Sequence, residues 1–116
     1  MALPGATELE NGTTYKNAVL TRQAFAAATP VTLIAAVAGK AHYINYLHIT
    51  CLAATIITVK IGSTVVWEGD FTANWPMNDA TLPNACWIFT GAQNVAVTVT
   101  SSAATTVGVT AGYYEA

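Results

Sequence analysis

Two histidines, two cysteines and a few carboxylates are the side chains of this chain best suited to chemistry, and their spacing keeps them apart. His42 and His48 stand six residues apart in a strand-like run. Regular alternation puts both on one face at roughly 20 Å separation, too far to share a metal within one subunit. Zinc would need one histidine from each of three copies, so an edge or surface histidine is the simpler expectation. Cys51 and Cys86 have no CxxC partner and apolar neighbours, the pattern of two buried free thiols rather than a disulfide or a metal site. Glu68 and Asp70 are two residues apart, with Asp79 further on. No Asp/Asn/Gly loop register accompanies them, so they are expected as solvated acids rather than calcium ligands or an acid/base pair. Ser63, Ser101 and Ser102 fall at turn positions, and no Gly-x-Ser-x-Gly occurs. No constellation gathers nucleophile, base and oxyanion donors, so no catalytic residue, cofactor or metal is assigned. An enzyme using Cys86 or the carboxylates is the formal alternative.

The tryptophans invite a different comparison. Trp75, within Asn74-Trp75-Pro76, has the character of a loop indole that can stack on a sugar or anchor a protein partner. Trp67 and Trp87 lie in strand-like runs and are expected in the core. A small carbohydrate-binding module built on Trp75, Asp70 and Asp79 is therefore the alternative from the binding class. Asn11-Gly12-Thr13 matches a glycosylation sequon, read here as chance.

Composition bears on the surroundings. Only 9% of the 116 residues are charged while 53% are hydrophobic, whereas soluble domains carry roughly a quarter charged residues. Either much of the surface is buried against other subunits, or Thr, Ser, Asn and Gly carry the solubility alone. The net charge is −2, and Lys16, Arg22, Lys40 and Lys60 are scattered, which argues against nucleic acid. Apolar runs such as 31–37 stop far short of the roughly 18 residues of a membrane helix, so no membrane partner is expected. Residues 1–10 hold Glu8 and Glu10 and no positive region, so the chain is read as made in the cytosol.

The elements that must position these residues are strands. Residues 1–29, with Pro4-Gly5 and Asn11-Gly12 as turn signals, read as an N-terminal arm. Within it Tyr15, Ala18 or Val19, Arg22 and Phe25 recur at near-helical spacing, leaving a short helix and an extended arm both open. Residues 30–116 read as one β-domain rich in Thr, Val, Ile and aromatics. Strands are expected at 31–37, 43–51, 55–61, 64–68, 87–90, 94–100 and 106–115, with Gly62-Ser63 as a tight hairpin. The stretch 69–85 reads as a long connection. In the last strand Val107, Val109, Ala111 and Tyr113 share the core face. Gly108, Thr110, Gly112 and Tyr114 share the other and are the candidate subunit-interface residues, since glycines in a strand mark a bulge or a close backbone approach. Seven short strands with one long crossing connection predict an all-β fold, an antiparallel β-sandwich of Greek-key or jelly-roll kind.

From about Val31 onward the chain resembles small tailed-phage virion proteins with a jelly-roll, TNF-like β-sandwich. The residues that carry the resemblance are Leu33-Ile34-Ala35-Ala36-Val37-Ala38-Gly39-Lys40, Tyr43-Ile44-Asn45-Tyr46-Leu47-His48-Ile49, Val59-Lys60-Ile61-Gly62-Ser63-Thr64, and Val107-Gly108-Val109-Thr110-Ala111-Gly112-Tyr113-Tyr114. The resemblance implies a non-enzymatic head decoration or cement protein, assembled in the host cytoplasm. It would sit as a homotrimer on the capsid surface and brace the major capsid protein. Some similar proteins occupy the head vertex or tail instead. Under this reading the arm up to about Phe25 makes the capsid contact or exchanges between subunits, and Trp75, Tyr15, Arg22 and Phe25 are the candidate partner-contact residues.

Overall fold

Alternation of apolar and polar side chains drives the long strands, because only a pleated chain sorts such a sequence into a core face and a water face. The computed structural model describes residues 7–8, 14–71, 78–81 and 89–116. Among the described residues there are ten strands and no helix: β1 (Thr7–Glu8), β2 (Thr14–Phe25), β3 (Val31–Ile34), β4 (His42–Cys51), β5 (Thr55–Ile61), β6 (Thr64–Phe71), β7 (Asn78–Thr81), β8 (Phe89–Thr90), β9 (Val97–Ser101) and β10 (Thr105–Glu115). None of it forms a helix long and apolar enough to cross a membrane.

The strands form two antiparallel sheets. One runs β1-β2-β10-β4-β7, with β8 also on β4, and the other runs β3-β9-β5-β6. Pairing is nested: β2 with β10, β3 with β9, β4 with β7 and β8, and β5 with β6 at the innermost hairpin. That hairpin turns at Gly62-Ser63, where Gly62 takes the left-handed φ of 62° open to glycine. Between the sheets lies one apolar core, including Ile44, Leu47 and Ile49 of β4, Ile57, Val59 and Ile61 of β5, Val97 and Val99 of β9, and Val107 and Val109 of β10. The protein is an antiparallel β-sandwich.

Two bulges alter what the sequence implied. Val107 pairs with Gln23 and Val109 with Leu20, so Thr21 and Arg22 together stand opposite Gly108. An extra residue slips the two-residue alternation by one, which imitates helical spacing. The stretch read as an arm or a short helix is therefore, over Thr14–Phe25, an integral strand of the larger sheet. In β4, Gly112 pairs with Tyr46 and Tyr113 with Ile44, leaving Asn45 as the extra residue. This slip turns His42 inward, fully buried, and leaves His48 half-buried on the outer face. The two histidines do not share a face, contrary to the reading from spacing alone.

Other boundaries follow the pairing partners. β6 runs on to Phe71 because Gly69 and Phe71 still pair with Ile57 and Thr55. Within the expected 69–85 connection, β7 pairs with β4 from His48 to Cys51. On β6 the indole of Trp67 folds over Gly69, where an added Cβ would lie 2.4 Å from a ring carbon. Gly69→Ala is therefore expected to push the indole off the core and cost about 1–3 kcal/mol. The measurement is urea unfolding with Trp67 emission followed against a Trp67→Phe control; an unchanged midpoint and spectrum would show that the close approach does not matter.

Candidate functional site

The outer face of the larger sheet, centred on β10, gathers most of the candidate interface residues. Gly108, Thr110 and Tyr114 are partly exposed there, whereas Gly112 is buried. Cross-strand neighbours make two rows. Val19, Thr110 and His48 form one, and Thr21 with Arg22, Gly108 and Thr50 form the other. Gly108 is used within the subunit: an added Cβ would stand 2.8 Å from Arg22 Cγ and 3.1 Å from Thr50 Oγ1, so the arginine stem lies across it. Beside these rows Tyr114 stacks on Tyr43, ring centroids 4.8 Å apart and planes 3° from parallel. Stacked tyrosines, threonines and glycine give this face bulk and hydroxyls with little charge, a composition suited to contact with another protein.

The partner-contact candidates separate. Arg22 is exposed on this face, and Trp75 lies outside the described residues. Tyr15 is largely buried, its hydroxyl donating to Asn45 Oδ1, and burial raises its pKa. Phe25 is 2% exposed and belongs to the core. A ring with no free surface cannot anchor a partner, so Phe25 holds β2 to the sandwich instead.

At the end of the sandwich where the chain finishes, Lys16 Nζ donates to Glu115 Oε1 at 2.7 Å. Bonding to Glu115, and its charge, raise the lysine pKa. Glu115 Oε2 lies 3.4 Å from His42 Nδ1. The contact is proximity without a hydrogen bond, for neither ring nitrogen has a partner among the described residues. Tyr113 meets the imidazole edge-on at 5.8 Å, and burial first, then the Glu115 charge, raises its phenol pKa. Three strands thus share one carboxylate.

The opposite end has no charge in its described connections. The chain passes through residues 26–30, 52–54 and 102–104, all exposed except the partly buried Ala103. They are bound to neighbouring strands: the Ala28 N–H donates to Ser101 O at 2.7 Å, the Leu52 N–H to Thr106 O at 3.2 Å and the Ser102 N–H to Ile56 O at 3.0 Å. Thr55 and Ser101 hydroxyls, 2.6 Å apart and both buried, fasten the last two of these connections together. Sequence reading missed this surface. The signal was present as Ala-Ala-Thr at 27–29, 53–55 and 103–105, three times at strand ends that the fold then assembles at one pole.

The remaining reactive groups stay dispersed. Cys51 is a buried free thiol whose pKa burial raises, partly offset by the Arg22 charge; Cys86 and Trp87 lie outside the described residues. Glu68 and Asp70 are exposed on β6, Glu68 accepting from the Thr58 hydroxyl at 2.8 Å. Only the backbone of Asp79 is described, within β7. Among the described residues no three His, Cys, Asp or Glu side chains converge. No protein-family model matches this chain, and no curated protein matches it.

Proposed function

We propose that the chain is a non-enzymatic structural subunit of a tailed-phage virion, a capsid decoration or cement protein that assembles as a homotrimer on the head surface. The three charge-free connections gathered at one end of the sandwich carry this reading. A free monomer that exposes three connections without one charge leaves an end poorly protected from association, whereas an assembly subunit covers it. The nested order of strand pairs supports the jelly-roll, TNF-like form of the sandwich. In this reading the outer face of β10, with Thr110 and Tyr114, joins the copies, and the three charge-free connections meet the major capsid protein.

Light scattering on the purified chain, followed by sedimentation with phage heads, tests it. A trimer that sediments with heads is expected, and Ala27→Lys with Ala53→Lys should abolish sedimentation while leaving the trimer intact, since each lysine would be desolvated at the contact. A monomer, or head binding unaffected by both lysines, would overturn the reading.

A further inference from the structure

Among the described residues, those with a left-handed backbone are Gly39, Gly62, Asn94 and Ala28. Glycine adopts it freely, and Asn94 is fastened through its side chain, whose Oδ1 accepts the Gly39 N–H at 2.5 Å. Ala28, at φ 56°, has neither property. It is the third residue of a turn over 26–29, closed by the Thr29 N–H on Ala26 O at 3.3 Å, and a turn with positive φ there calls for glycine or asparagine. Alanine at that position stores strain, and it does so in the chain's one route from β2 to β3. β2 is also separable from the sandwich. Among the described strands only the two-residue β1 lies outside it, so β1 and β2 can leave β10 together without breaking another ladder. The strand is fastened by the ladder to β10, the Lys16–Glu115 ion pair and the Tyr15 hydroxyl on Asn45 of β4. A second copy of the chain presents each of these partners.

We propose that β2 exchanges between copies of this chain, hinged at Ala28. In the closed subunit the strand folds back onto its own β10. In the assembly the turn opens, β2 lies on the β10 of a neighbour, and Ala28 regains an ordinary extended backbone. Opening gives up the turn bond and the Ala28 N–H bond to Ser101 O, and water takes over these groups at an exposed connection. The ladder, the ion pair and the place of Phe25 in the core are all remade with the neighbour, so release of strain at Ala28 favours the exchanged form once copies are abundant. The connection has the reach: residues 26–30 span roughly 17 Å when extended, and Pro30 favours an extended Thr29 before it. This exchange rests on the assembly reading for its neighbouring copies.

Carbodiimide coupling of the full chain tests this, because it joins amines to carboxylates in direct contact, here Lys16 to Glu115 at 2.7 Å. Equal amounts of unlabelled and isotope-labelled chain are refolded together, coupled, digested and weighed by mass spectrometry, with Lys16→Gln as the control that removes the linked peptide. Exchange is expected to give mixed-isotope linked peptides as abundant as the two uniform kinds together. Uniform peptides alone overturn it, and so does a failure to couple, since closed and exchanged forms both keep the pair. Ala28→Gly removes the strain and is expected to shift the equilibrium towards the closed subunit about fivefold or more. Ala28→Pro can neither hold the left-handed turn nor donate to Ser101, so its mixed peptides are expected to persist on dilution where those of Ala28→Gly are lost. A mixed fraction equal in all three proteins at every concentration overturns the hinge. Light scattering and head sedimentation on the same samples keep the two readings apart: an oligomer with uniform peptides sinks the exchange alone, and an exchanged oligomer that ignores heads sinks the capsid role alone.

Discussion

A chain lacking residues 2–25 is expected to give no cooperative thermal melt, because the deletion takes out a strand and not an appendage. β2 pairs with β10 from Lys16 to Phe25, and its removal strips one side of a central strand. The exposed edge would carry unpaired N–H and C=O groups, a template for aggregation. Ala18 and Leu20 pack against the core and Phe25 lies within it. Losing one large core ring alone costs about 3–5 kcal/mol, against a total stability of about 5–15 kcal/mol for a domain. The strand as a whole exceeds what the remainder can supply. Circular dichroism with heating measures this, and a truncated protein that melts as sharply as the full chain would restore the view of residues 1–29 as a detachable arm.

Phe25→Ala is the sharper version of the same question. A core ring and a partner anchor differ in where the loss appears. As core, the substitution is expected to lower unfolding free energy by about 3–5 kcal/mol, by the same amount at every protein concentration. As an anchor, it would leave the dilute subunit's stability untouched and weaken only association, since linkage to a partner scales with concentration. Urea unfolding of both proteins over a range of concentrations separates the two. A loss that vanishes on dilution would return Phe25 to the contact surface.

Legibility followed pairing. β5 at Thr55–Ile61 was readable because Ile57, Val59 and Ile61 alternate without interruption and end at Gly62-Ser63. β10 was readable for the same reason. β3 stops at Ile34 rather than at residue 37, where its partner β9 has already run out: Ile34 pairs with Val97, the first residue of that strand. β7 was hidden because Asn78 and Asp79 are poor strand formers on their own; their ladder to Cys51 and Thr50 comes from a neighbour distant in sequence.

The sequence by itself determined the class of fold and the shortage of charge. Both are local or additive properties: alternation is written residue by residue, and charge is a sum. Only the tertiary structure decided where that shortage falls and which groups meet. Each bulge is a mismatch between two strands, so neither strand alone records it. The bulge at Thr21 and Arg22 laid the arginine over Gly108, and the bulge at Asn45 sent His42 inward beside Glu115 and left His48 on the outer face. The three Ala-Ala-Thr connections are far apart along the chain. Nested pairing brings them to one end, where three connections without charge stand side by side.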